Sequence, residues 1–223
     1  MKAQYIFKQL IGTLVFMALL FISAGTWLYW PGIVYLSIGL MMFLLGQTLL
    51  RPEADLLAER SKPAKGGKGW DKILLLFSLP VTLSMYIIAG LDSGRFGWSP
   101  AFHWSAMVFG ALLTAAGQLL FLVAQKQNRF FSSTVRIQTE RNHEVCDSGV
   151  YRIVRHPAYL GSIIQAAGFP LLLGSLWSFI PASFLAFLFF FRTYREDKDL
   201  LCELAGYKEY TNRIKYKLLP YIW

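Results

Sequence analysis

Long uncharged apolar runs alternate along this chain with shorter polar segments. Residues 10–30 and 32–50 stand back to back around Pro31, residues 73–91 follow, and residues 99–125 carry His103 as their one ionisable group. Each reaches roughly the 20 residues that a helix needs to cross a hydrocarbon core about 30 Å thick. The pattern therefore predicts four full spans. A fifth run, residues 158–191, is 34 residues long, too long for one upright span and too short for two full ones. Gly168, Pro170, Gly174 and Pro181 interrupt it, which predicts a tilted or shortened helical hairpin that returns to the side it left.

The polar segments orient this array. All but one of the 22 lysines and arginines fall before the first run, in residues 51–72 and 126–155, or from Arg192 onward; the exception is Arg95. Four spans plus a hairpin put that basic majority on one face, which marks it as cytoplasmic. A single crossing by the fifth run would export the basic tail. The expected fold class is an all-α polytopic membrane protein with four full spans, a broken C-terminal hairpin and a cytoplasmic tail helix. Residues 1–98 form the N-terminal spans with connector 51–72. Residues 99–223 form a core of one span, a loop (126–158), the hairpin and a tail helix over 192–223.

Composition supports this class: of 223 residues 55% are hydrophobic and 16% charged, too little polar surface for a water-soluble globule. The net charge of +9 reads as topology plus attraction to anionic headgroups. It is spread over separate juxtamembrane segments without a binding module, so no nucleic-acid partner is expected. The length of the first run and its Trp27/Tyr29/Trp30 end predict a retained span and not a cleaved signal. Connector 51–72 mixes both charge signs with Pro and Gly and is expected to be solvated, without chemistry. Cys146 and Cys202 both fall on the cytoplasmic side, against a structural disulfide. His103, His143 and His156 show no i,i+4 pairing or Cys/His clustering, so no metal site is expected.

Two polar clusters flank the hairpin. Arg155-His156-Pro157 opens it: the residue before a proline is driven from helical geometry, and Pro157 can start a helix. At the other end Arg192 and Glu196 stand one helical turn apart, with Asp197 next. An i,i+4 ion pair in that order contributes only ~0.2–0.5 kcal/mol. Interfacial anchoring is the plainer reading of the arginines and tyrosines. A hairpin that returns to its own side nonetheless sets Arg155, His156 and Tyr159 at similar depth to Arg192 and Glu196, which suggests a site.

At these stretches the sequence resembles the isoprenylcysteine carboxyl methyltransferase family and its membrane phospholipid-methyltransferase relatives. The residues concerned are Gly149-Val150-Tyr151, Arg155-His156-Pro157-Ala158-Tyr159-Leu160-Gly161, Arg192 through Glu196-Asp197 to Leu200, and Gly206-Tyr207 with Tyr210 and Pro220. The likeness covers about residues 128–223. It implies methyl transfer from S-adenosylmethionine bound on the cytoplasmic side. By that resemblance the cofactor is lined by His143, Glu144, Val145, Cys146, Tyr151, Arg155, His156, Pro157, Ala158, Tyr159, Glu196 and Asp197. Arg192 is associated with substrate and catalysis. Cys146 stands where the family has an aliphatic residue, and Asp197 where a second glutamate is usual.

The residue chemistry agrees. Glu196 suits a sulfonium and an ammonium, Arg155 suits a carboxylate, and Tyr151, Tyr159 or His156 can cover an adenine. The expected partners are a lipophilic or lipidated acceptor, reaching the site laterally between the hairpin and the 99–125 helix, and membrane lipids. Sequence leaves the acceptor group and the oligomeric state open. Two alternatives stand beside the methyltransferase: an NADPH-dependent sterol or steroid reductase, whose C-terminal region is similar, and a non-catalytic scaffold or transporter. The compact chain points to a bacterial inner membrane.

Overall fold

The computed structural model describes residues 2–48, 59 and 66–223; most of connector 51–72 lies outside them. Among the described residues the fold is all-helical, without strands. Helix α1 (Lys2–Ala24) ends where Gly25 takes a left-handed conformation (φ +71°), and α2 (Trp30–Thr48) restarts with Pro31 in its first turn. The apolar run over 10–30 is thus broken five residues before its hydrophobicity ends, by backbone geometry that hydropathy does not register. Helix α3 (Gly69–Ala89) continues into a π-helical turn (Gly90–Phe96), and α4 (Trp104–Gln127) begins after His103, whose ring accepts from the Ser105 amide as an N-cap. Helices α2, α3 with its π turn, and α4 are long and apolar enough to cross a membrane. Exposed leucines such as Leu40, Leu76 and Leu112 line their outer faces.

The fifth run folds into α5 (Pro157–Leu173) and α6 (Phe179–Glu203), joined by a turn that starts at Gly174 (φ +68°). Seventeen residues give α5 a length of about 25 Å, short of a full ~30 Å core. A buried carboxylate fixes the turn: Asp92 of the π segment accepts from the Ser99 amide (2.7 Å), the Ser99 hydroxyl (2.6 Å) and the Ser175 hydroxyl (2.6 Å). The tail departs from expectation. Helix α6 runs unbroken through Arg192 to Glu203, and only a short separate helix, α7 (Tyr207–Arg213), follows. Charge ends the apolar run at Arg192, but it does not interrupt the helical hydrogen bonds.

The core gathers Leu20 and Phe21 of α1, Tyr35 of α2, Tyr86 of α3, Phe169 and Leu173 of α5 and Leu185 of α6. The Tyr35 and Tyr86 hydroxyls meet at 2.6 Å within it. Helices α4 and α5 pack backbone to backbone. A Cβ on Gly117 would lie 2.5 Å from the Gly161 carbonyl oxygen, and one on Gly168 would lie 2.7 Å from that of Gly110. Small residues permit this approach between membrane helices. Gly168 thus serves this contact and not a helix break.

Candidate functional site

Pro157 occupies the first turn of α5, and His156 before it holds a non-helical backbone (φ −125°, ψ 60°), as an X-Pro step requires. The amides that this kink frees find partners in the C-terminal tail: Arg155 N–H donates to the Tyr216 carbonyl and His156 N–H to that of Lys217, both at 2.9 Å. The tail is held in turn by the Trp223 carbonyl, which accepts from the amides of Lys217, Leu218 and Leu219. Upstream, Gly149 (φ +55°) packs so closely on the Gln127 carboxamide that a Cβ would lie 2.3 Å from it. The Val150 amide donates to that same group. This turn aims Tyr151 inward, where its hydroxyl donates to Ala124 O (3.3 Å) and its carbonyl accepts from the Tyr210 hydroxyl (2.7 Å).

These elements and the polar half of α6 enclose a cavity of about 310 Å³. Of the residues expected from sequence, His143, Glu144, Val145, Cys146, Tyr151, Arg155, His156, Ala158, Tyr159, Arg192 and Glu196 all line it. Tyr159 and His156 lie parallel (6°, centroids 5.8 Å apart), the Tyr159 hydroxyl donates to Glu196 Oε2, and the Arg192 guanidinium sits 5.1 Å from the centre of the Tyr159 ring. Pro157 and Asp197 are not on the wall. Pro157 is buried as the helix start. Asp197 is turned away into a cage.

That cage redirects two expectations. Arg155 donates through Nε and Nη2 to both Asp197 oxygens (2.8 and 2.9 Å), and through Nη1 to the carbonyls of Ile214 and Lys215. The Tyr207 hydroxyl donates to Asp197 at 2.9 Å, and His156 Nε2 lies 3.3 Å from it. Burial alone would raise the Asp197 carboxyl, but the hydrogen bonds from His156 and Arg155 outweigh it and hold the group well below the usual carboxylate range. Arg155 thus has protein acceptors on all three nitrogens, and Asp197 is fully engaged. Their geometry is that of a clamp between the hairpin mouth and the tail.

Arg192 differs. Its Nη2 donates to Asp71 Oδ2 (3.2 Å) and to the Ser133 carbonyl (3.1 Å). Its Nε lies 2.8 Å from Asp71 Oδ1, but without the angle of a hydrogen bond, so that contact is ionic. Asp71, in the first turn of α3, is completely buried and also accepts from the Val135 amide at 2.8 Å. It belongs to the segment read from sequence as a solvated connector. No local signal links it to a partner 121 positions away; an acid opening an apolar run looks like ordinary helix-end chemistry.

The remaining wall comes from the loop after α4. His143 is packed on Phe130 (4.5 Å) and accepts from the Gln138 amide at Nδ1 (3.3 Å). Burial, reinforced by Arg136 and Arg141, lowers its pKa to about 4, so it is neutral at physiological pH. Burial raises the Cys146 thiol. Arg136 is paired with Glu59 and Glu140 (2.6 and 2.7 Å). A larger cleft of about 540 Å³ opens between α1, α2 and α4, but leucines, glycines and the carboxamides of Gln47, Gln118, Gln125 and Gln165 line it, with Lys126 at one end. The acid, imidazole and guanidinium groups converge on the smaller cavity, which is the candidate site.

Residues 108–202 match the Isoprenylcysteine carboxyl methyltransferase (ICMT) family. A probable protein-S-isoprenylcysteine O-methyltransferase of Oryza sativa subsp. indica is 28% identical over 123 residues, 54% of this chain and 64% of that protein. The protein-S-isoprenylcysteine O-methyltransferase of Saccharomyces cerevisiae is 34% identical over 110 residues, 48% and 46% of the two chains. A Delta(14)-sterol reductase of Mus musculus matches more weakly, at 28% over 125 residues, 50% of this chain and 30% of that protein. The chain thus spans about half to two thirds of the methyltransferase relatives' length.

Proposed function

We propose, from the match of residues 108–202 to the isoprenylcysteine carboxyl methyltransferase family, that the chain is a membrane methyltransferase that uses S-adenosylmethionine on a lipidated carboxylate. The observation that carries this reading is the convergence of His156, Tyr159, Arg192 and Glu196 on one cavity. The lining chemistry fits the cofactor: Glu196 and Glu144 offer carboxylates to its cationic centres, and the Tyr159 and His156 rings offer apolar faces to its base. When bound, S-adenosylmethionine supplies an electrophilic methyl on a sulfonium.

The protein's own residues then have limited tasks. An acceptor carboxylate is already ionised at neutral pH and needs no general base, which suits a wall on which the His156 imidazole is engaged with Asp197 and Tyr207. Arg192 orients the acceptor. Phe121, Phe130, Phe131 and Phe189 on the wall limit water, and a dry site favours a reaction in which opposite charges neutralise. The proposed topology has α1 to α4 as spans, α5 and the apolar half of α6 as the returning hairpin, and the cavity facing the cytoplasm. The plant and yeast relatives leave the bacterial inner membrane without support.

The reductase reading fares worse. A phosphate-bearing dinucleotide calls for cations, yet Arg136 and Arg155 each already face a carboxylate, and Glu144 and Glu196 add acid to the wall. Titrating the purified protein with both cofactors tests the choice. S-adenosylmethionine is expected to bind and NADPH not to; tight NADPH binding alone would reverse the assignment.

A further inference from the structure

We infer that Asp71 is the positioning residue that orients Arg192 toward the acceptor, so that the site takes a working part from outside the stretch matched to the methyltransferase family. The inference rests on the function proposed above. Asp71 lies 37 positions before that stretch begins at residue 108. It is fully buried, and its two oxygens face Arg192 Nε at 2.8 Å and Nη2 at 3.2 Å. Nη2 is also fixed by the Ser133 carbonyl, and among the described residues it is the one guanidinium nitrogen of Arg192 with a hydrogen-bond acceptor. Two edges of the guanidinium are therefore held from the α3 side, and the third remains for a ligand in the cavity that Arg192 lines. A planar fork held at two points is oriented as well as charged.

The support behind Asp71 is rigid. Lys68 N–H donates to Val135 O at 2.9 Å and Val135 N–H to Asp71 at 2.8 Å, which ties the α3 head to the cavity loop. The Trp70 indole donates to Asp199 at 2.9 Å, and Arg195 lies over the Trp70 ring, which ties the same head to α6 on either side of Glu196. Asp71 itself does not reach the cavity, so it acts through Arg192. The pairing has a chemical consequence. With Asp71 neutralising most of its charge, Arg192 selects the acceptor by the direction of its free N–H groups more than by net attraction.

The test measures steady-state methylation of N-acetyl-S-farnesylcysteine and S-adenosylmethionine affinity in purified full-length protein. Asp71→Asn keeps the shape but removes the ionic fork. It should raise the acceptor KM by about tenfold or more, the range for losing a hydrogen bond to a charged group, with cofactor Kd changed less than about twofold. In an Arg192→Ala background the same change should move the acceptor KM by less than about twofold, because the path through Arg192 is gone. An equal effect in both backgrounds, or a matching loss of cofactor affinity, would mean that Asp71 only supports the fold and would overturn the inference. Should Asp71→Asn not fold, Arg192→Lys decides: it keeps the charge and loses the fork, so a raised acceptor KM is expected, and a wild-type KM contradicts the inference. No methylation by the wild-type protein would instead remove the proposed function, and this inference with it.

Discussion

Two buried arginine–aspartate pairs border the cavity, built from the same chemistry and engaged differently. Arg155 and Asp197, on the side of the C-terminal tail, are saturated: every guanidinium nitrogen has a protein acceptor, and the carboxylate also receives Tyr207. Arg192 and Asp71, on the side of the α3 head, leave one edge of the guanidinium without a protein acceptor among the described residues. A buried pair is weak evidence for net stability, but removing one partner is costly because it strands the other charge. What separates a clamp from a binding group is thus neither burial nor charge. It is whether hydrogen-bonding capacity remains once the protein has taken its share.

The largest effect expected from this contrast is on folding. Asp197→Ala strands Arg155 and releases the tail, and should cost about 3–5 kcal/mol, read as a lower unfolding midpoint in detergent with cofactor and acceptor binding lost together. A wild-type midpoint would remove the clamp. Glu196→Gln is expected to leave that midpoint unchanged while weakening S-adenosylmethionine by roughly 10- to 100-fold, the range for a charge-assisted hydrogen bond of ~1.5–3 kcal/mol. Calorimetric titration of both proteins checks it, and equal affinities would exclude Glu196 from the donor site. The smallest effect is a pH dependence. His143 titrates near 4 in the folded chain and near 6.5 unfolded, so the unfolded chain binds the extra proton between those values. Stability should fall as pH drops from about 6.5 to 4 and lose nothing further from this group below that. A His143 resonance titrating at 6.5 would contradict this.

Three of the four expected spans, α2, α3 and α4, were legible in sequence as long uncharged runs, while the apolar part of α1 is shorter (Gln9–Ala24). The break in the fifth run was legible too, because 34 residues are too many for one upright span and Gly174 takes the left-handed turn between the two helices. Most cavity-lining residues were legible as well: once the hairpin returns, the Arg155-His156-Pro157 mouth and the Arg192/Glu196 turn must lie at one depth. What each polar group bonds to was not. Arg155 resembled a ligand group until the Ile214 and Lys215 carbonyls appeared on its Nη1, and backbone acceptors in an irregular tail leave no mark in residue type. Asp71 leaves no such mark either, because its segment looks solvated and its partner is distant in sequence. The α4–α5 seam illustrates the same limit: glycines at 110, 117, 161 and 168 are visible individually, but only their registration across two helices shows the backbone-to-backbone contact.

Incubating the purified full-length protein with methyl-labelled S-adenosylmethionine and N-acetyl-S-farnesylcysteine, then treating the product with mild base, tests the central claim most directly. Label should enter the lipid-soluble acceptor and leave as methanol on base treatment, as a carboxyl methyl ester requires. Label that resists base, or none transferred at all, would contradict it.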